Sequence, residues 1–216
     1  MILKSILKEV KKELKEKNTV RENAKQNMRK ATSLSKQSIL LIHQRKYDSA
    51  GRAIENAKDI ITELLEEANE HPDIIYSGMF SSALQEYAEA NILQGLTREA
   101  RFIKPDEINV PGADYVLGLA DVIGEYRRLV LDRLREGDVE KGEAGLQTME
   151  EIYVEIMALD EAYMLVQGLR RKCDVARRII ETTRGDITQE MRRKSLEDYL
   201  KKFEKAQRDK IFSRKC

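Results

Sequence analysis

Apolar residues recur along this 216-residue chain at intervals of three and four, and no segment shows sustained apolar–polar alternation enriched in β-branched residues. The first spacing marks one face of an α-helix; the missing alternation would mark a strand. The chain is therefore expected to be all-α. Composition agrees: 36% charged and 41% hydrophobic residues, with three Pro and no Trp, suit helices that have one apolar and one salt-laced face. The length allows a sizeable core, and with no long linker it is read as one domain over 1–216.

The pattern predicts seven helices. The first covers 1–46, its initial twenty or so residues so charged that they read as an exposed arm. The second runs from about Ser49 to Asn69, buries Ile54, Ala57, Ile60, Ile61, Leu64 and Leu65, and is broken at His71-Pro72-Asp73. A third spans about Ile74 to Phe102. The stretch Lys104–Ala113, with two Pro and a Gly, must be a connector. A fourth helix runs from Ala113 to Arg135 and stops at Gly137. Asp138 has the position of an N-cap for a fifth, ending near Leu159. A sixth, from about Glu161 to Thr183, is expected to end at Gly185. The seventh starts at Thr188 and leads into a basic tail at about 210–216.

Several function classes are excluded. With 39 basic and 38 acidic residues, the chain is no histone-like coater, so any nucleic-acid surface must come from local segregation of charge. Cys173, Cys216, His43 and His71 have no zinc-site spacing and imply no disulfide framework. Apolar runs such as Ser38–His43 are too short to span a bilayer, and the N-terminus has no signal-peptide pattern; no membrane role and a cytoplasmic location are expected. Neither His follows a Glu at di-iron spacing.

Two segments put carboxylates where amphipathic logic would not. Met79, Ala83, Glu86, Ala90 and Leu93 share one helical face, with Glu89 one turn along from Glu86. Asp114, Leu117, Gly118, Asp121, Gly124, Glu125 and Arg128 line another, and Gly118 and Gly124 permit close approach of a neighbouring helix. Such pairs meeting on facing helices would crowd like charges that a cation must relieve. Mg²⁺ or Mn²⁺, with their preference for oxygen ligands and retained water, suit the cluster. With 38 acidic residues, however, paired glutamates also decorate ordinary solvated faces. Pattern alone leaves both readings open.

The strings Leu84-Gln-Glu-Tyr-Ala-Glu-Ala90, Asp106-Glu-Ile-Asn109 and Asp114-Tyr-Val-Leu-Gly-Leu-Ala-Asp-Val-Ile-Gly-Glu125 resemble the translin/TRAX superfamily, and in particular TRAX, the translin-associated nuclease subunit. Weaker similarity extends to Ser35–His43 and Ile180–Ile187. The resemblance implies a seven-helix bundle, hollow barrel-like octamers and binding of RNA or single-stranded DNA on the inner surface. It also implies a Mg²⁺-dependent endoribonuclease whose catalytic, metal-binding carboxylates are Glu86, Glu89 and Asp121, with Glu125 alongside.

Phosphate contacts require local Lys or Arg. Arg29, Lys36 and His43, spaced by seven, fall near one face of the first helix, and Arg128 shares a face with Asp121 and Glu125. Arg29, Lys36 and Arg128 are the preferred nucleic-acid contacts; Arg170, Arg171, Lys172, Arg177 and Arg178 form a further basic cluster. Tyr87, Tyr115, Tyr126 and Cys173 read as core. The sequence thus points to a Mg²⁺- or Mn²⁺-dependent endoribonuclease, a homo-oligomer acting on single-stranded or duplex RNA. The rival is a non-catalytic, translin-like RNA or single-stranded DNA binder; a third reading is a helical scaffold for protein partners.

Overall fold

The structure, a computed structural model, describes residues 2–159 and 164–213, with side chains described through residue 207. Among the described residues there is no strand, and no helix is long and apolar enough to cross a membrane. The helices are α1 (Ile2–His43), α2 (Tyr47–Glu67), a single turn α3 (Pro72–Ile75), α4 (Gly78–Gln94), α5 (Gly112–Arg135), α6 (Val139–Met157) and α7 (Leu169–Ser213). The chain forms two compact units, Met1–Val122 with Asp160–Arg170, and Ile123–Leu159 with Arg171–Cys216.

In the first unit α1 packs on α2 and α4, and α2 packs on α4. The buried stripe of α1 is Ala24, Met28, Ala31, Ser35, Ser38 and Ile42, which alternates steps of four and three and is built mostly from small residues. Small side chains let helix axes come close, so this seam is tight rather than greasy. Residues 2–19 are exposed throughout, as expected of the charged arm. The turn after α1 closes with Lys46 N–H on Leu41 O (2.9 Å) and Arg45 N–H on Ile42 O (2.8 Å). Arg45 takes the left-handed conformation (φ 60°) that this closure requires.

One long helix over Ile74–Phe102 does not form. Pro72 instead starts the short α3, Ser77 is extended (φ −124°, ψ 163°), and α4 begins only at Gly78. Past Gln94 the backbone widens into a π-turn over Gly95–Glu99 and stops at Ala100, which is left-handed at φ 53°. The connector contains a 3₁₀ turn, Pro105–Glu107, held by Glu107: its carboxylate accepts from Lys104 N–H (2.8 Å) and from Arg101 (2.9 and 3.0 Å).

In the second unit α5 ends as expected at Gly137 (φ +81°), with Asp138 N–H closing onto Arg133 O. Asp138 then caps α6, accepting from Lys141 N–H at 3.1 Å. The expected stop at Gly185 is wrong. α7 runs unbroken through it, and the left-handed glycine is Gly168 (φ +91°), just before α7 begins. Tertiary contacts override the weak helix propensity of Gly185. Its neighbours Thr183 and Asp186 are both held by Arg127 of α5, through Nη1 donating to Thr183 Oγ1 (2.8 Å) and Nη2 lying 3.0 Å from Asp186. The α7 stripe Cys173, Ala176, Ile180, Thr183 and Ile187 is buried on both sides of Gly185. The expected start near Glu161 and the tail end at Cys216 lie outside the described residues.

Candidate nucleic-acid and carboxylate site

The site is organised by the way α4 and α5 meet in the first unit. Ser81 Oγ and Gln85 Nε2 (3.3 Å) both donate to Asp114 Oδ1, and Gln85 also donates to Ser81 Oγ at 3.0 Å. One turn further along both helices, a Cβ added to Gly118 would lie 2.6 Å from the carbonyl oxygen of Gln85 and 3.1 Å from the amide nitrogen of Glu89. Ser81 and Gln85 meet Asp114, and Gln85, Ala88 and Glu89 meet Gly118, so the two segments run in the same direction. Asp121 follows Gly118 by three residues on α5. Gly118 is therefore the residue that allows the two carboxylate motifs to approach. Gly124, given the same role from sequence, has nothing within 4 Å of an added Cβ and makes no such contact.

Glu89 is the most buried of the set at 7% exposure, on a helix otherwise sealed by Tyr87, Ala88, Ala90, Ile92 and Leu93. A carboxylate in so dry a setting is costly unless its charge is used or neutralised. Asp121 is half-buried. Glu86 is half-buried too and turns to α1, where Lys36 Nζ lies 3.2 Å from its Oε1. Glu125, four residues beyond Asp121 on α5, and the exposed Arg128 belong to the second unit.

Among the described residues no three His, Cys, Asp or Glu side chains are grouped so as to hold a metal ion. The donors nevertheless have the right chemistry for Mg²⁺, which binds one or two carboxylates plus water and substrate phosphates rather than an all-protein cage. Glu89 stands beside Gly118 on the seam, Asp121 follows three residues along α5, and Glu86 is paired with Lys36 of α1.

The basic residues divide. Arg29 and Lys36 are exposed on α1, whereas His43 is half-buried at its end. Arg171, Arg177 and Arg178 are exposed on α7, around the buried Cys173 and Ala176. Tyr87 is core, at 1% exposure, and burial pushes its hydroxyl up to about 12. Tyr126 is pushed up to about 12 for the same reason, and Tyr115 donates to Ile103 O at 2.6 Å. Ser81, Gln85 and Arg127 were not singled out from sequence. Gln85 had a signal, its place inside the first motif beside Glu86; Arg127 had none, because its partners lie more than fifty residues away.

A model of the Translin family matches residues 19–206 of this chain. The chain belongs to the translin family. Among solved structures it is similar to the crystal structure of AfC3PO, with 33% identity, 86% of this chain and 96% of that chain covered, and a TM-score of 0.76. AfC3PO in complex with duplex RNA matches at 32% identity with the same coverage and TM-score. The crystal structure of apo-NeC3PO matches at 25% identity, 85% and 96% coverage and a TM-score of 0.76. An uncharacterized protein of Methanocaldococcus jannaschii is 35% identical over 130 residues, 60% of this chain; the match spans 58% of that relative's length, under two thirds of it. The all-α translin fold expected from the motif strings is thus the fold of this chain.

Proposed function

We propose that this translin-family chain binds RNA and is a TRAX-like, metal-dependent endoribonuclease that works within a homo-oligomer. The observation that carries the catalytic part is the α4–α5 seam, in which the buried Glu89 stands beside Gly118, three residues before the half-buried Asp121. The RNA part is supported by the similarity to AfC3PO, one structure of which is a complex with duplex RNA. The exposed Arg29 and Lys36 of α1 offer phosphate contacts. Glu89 and Asp121, with Glu86 once released from Lys36, are the residues that would hold Mg²⁺ or Mn²⁺. Glu125 and Arg128 are assigned to catalysis and RNA contact by the resemblance and their spacing alone. A divalent cation bound there supplies an activated water and neutralises charge on the phosphoryl oxygens. The chain itself supplies low dielectric around Glu89, fixed spacing of the two motifs, and cations that steady the phosphate.

Assembly is supported by apolar residues that the single chain leaves uncovered: Ile6, Leu7, Val10 and Leu14 on the arm, and Leu196, Tyr199, Leu200 and Phe203 on the far end of α7. Each set recurs at helical spacing, as on helices that pair with another surface. An octamer is the form the resemblance implies.

The rival reading is a non-catalytic binder of RNA or single-stranded DNA, which membership of the translin family supports equally. Cleavage of labelled RNA in Mg²⁺ and in EDTA decides between them. The nuclease reading expects cutting in Mg²⁺ only, lost in Glu89→Ala while RNA binding persists. Binding without cutting under every condition establishes the rival.

A further inference from the structure

Lys36 and Glu86 are each assigned above to substrate or metal, yet in the folded chain they hold each other, Nζ to Oε1 at 3.2 Å. One comes from α1 and the other from α4. Each therefore has two mutually exclusive partners. An ammonium beside Glu86 repels an incoming divalent cation and occupies the carboxylate oxygen that would bind it. A phosphodiester oxygen, in turn, competes with Glu86 for the same three N–H donors.

We propose that Lys36 is a phosphate-sensing positioning residue: it masks Glu86 in the free protein and is drawn off by an RNA phosphate, so that the carboxylate set is completed only when substrate arrives. The proposal rests on the nuclease reading and adds to it an order of events. It gives a reason for Glu86 to point to α1 while Glu89, one turn along α4, stands beside the α4–α5 seam.

The strength of the pair suits exchange. The Lys36 side chain is 62% exposed and that of Glu86 is 26% exposed. Pairs this wet bias an equilibrium only about two- to five-fold, little enough to be overcome by a phosphate. A fully buried pair would stay closed, and a pair in bulk water would mask nothing. The α1–α4 contact does not depend on it, since α1 already buries its stripe of small residues from Ala24 to Ile42. Because coupling between two ligands is reciprocal, RNA tightens metal binding by the factor with which metal tightens RNA binding.

The test is Mn²⁺ titration of the full chain, read from the electron paramagnetic resonance of free Mn²⁺, with and without a 2′-O-methyl oligoribonucleotide. Variants are Lys36→Met, Lys36→Arg and, as a control for net charge, Lys30→Met at another exposed position of α1. The expected result is Mn²⁺ binding about two- to five-fold tighter in Lys36→Met than in wild type or Lys30→Met without RNA, as a released pair of this strength requires. Lys36→Arg should behave as wild type, and RNA should tighten the wild type more than Lys36→Met. Circular dichroism melts confirm that each variant is folded. If Lys36→Met and Lys30→Met bind Mn²⁺ alike, the masking role is overturned while the metal site stands. If no variant binds Mn²⁺ with or without RNA, the nuclease reading fails and the masking role with it.

Discussion

Replacing Gly118 by Ala tests the α4–α5 seam by adding one methyl group. The new Cβ would lie 2.6 Å from Gln85 O, 2.9 Å from Ala88 Cβ and 3.1 Å from Glu89 N. Two of these are backbone atoms of a helix and cannot rotate aside. Restoring an ordinary 3.4 Å contact to the oxygen requires α4 and α5 to part by ~0.8 Å. Overpacking of this kind costs about 1–3 kcal/mol, here towards the upper end because the obstacle is backbone. Helix propensity returns about 1 kcal/mol for Gly to Ala. The net expectation is a loss of about 2 kcal/mol, or a melting temperature lowered by roughly 4–8 °C in a chain of this size. Gly124→Ala is the matched control: nothing lies within 4 Å of its Cβ. It should gain up to about 1 kcal/mol from propensity alone. Thermal and urea melts of both variants give the comparison. If Gly118→Ala melts at or above wild type, the seam is not as tight as drawn, and the close approach of the two carboxylate motifs falls with it.

Arg127→Ala should destabilise by roughly 1–2 kcal/mol in urea melts, because buried Thr183 loses a donor and Asp186 its cation. Arg193→Ala, whose side chain is 68% exposed, should change stability by less than about 0.5 kcal/mol. The Lys141 side chain and backbone N–H hold the Asp138 carboxyl below the usual carboxylate range. A depressed folded-state pKa stabilises above the unfolded value, and the gain is lost as pH falls through the folded one. The stability difference between wild type and Asp138→Asn should therefore be full at neutral pH and vanish in strong acid; a difference that grows on acidification would refute the assignment. In alkaline absorbance titration, Tyr87 and Tyr126 should ionise late, near 12 where burial has pushed them. Tyr126→Phe should remove one late-titrating group.

What could be read from the residues was what local chemistry decides. The Gly137–Asp138 pair marked the end of α5 and the start of α6, because a left-handed stop followed by a carboxylate cap works within a few residues. Leu84–Ala90 and Asp114–Glu125 pointed to the fold as motif strings. The misses have two sources. Gly185 looks like a stop until Arg127 is seen holding Thr183 and Asp186 on either side of it. The break at Ser77-Gly78 is local, a Ser-Gly turn signal that apolar periodicity alone passes over. The buried stripe of α1 carries little hydrophobic signal in sequence, because Ala24, Ala31, Ser35 and Ser38 are among its members. For the candidate site, the carboxylates stood out, but not that Glu86 would turn to Lys36 while Glu89 faces the core. Two residues three apart on a helix differ by only about 60° in direction, and the choice of partner is made by α1.

In the proposed nuclease, Glu89 and Asp121 act as one site. Its decisive test is single-turnover cleavage of a labelled RNA in saturating Mg²⁺, compared for Glu89→Ala, Asp121→Ala and the double variant. Groups that act as a unit are not additive. Either single variant should lose nearly all cleavage and the double should be no worse, with RNA binding kept throughout. Cleavage unchanged in either single variant, or losses that simply multiply in the double, would contradict it.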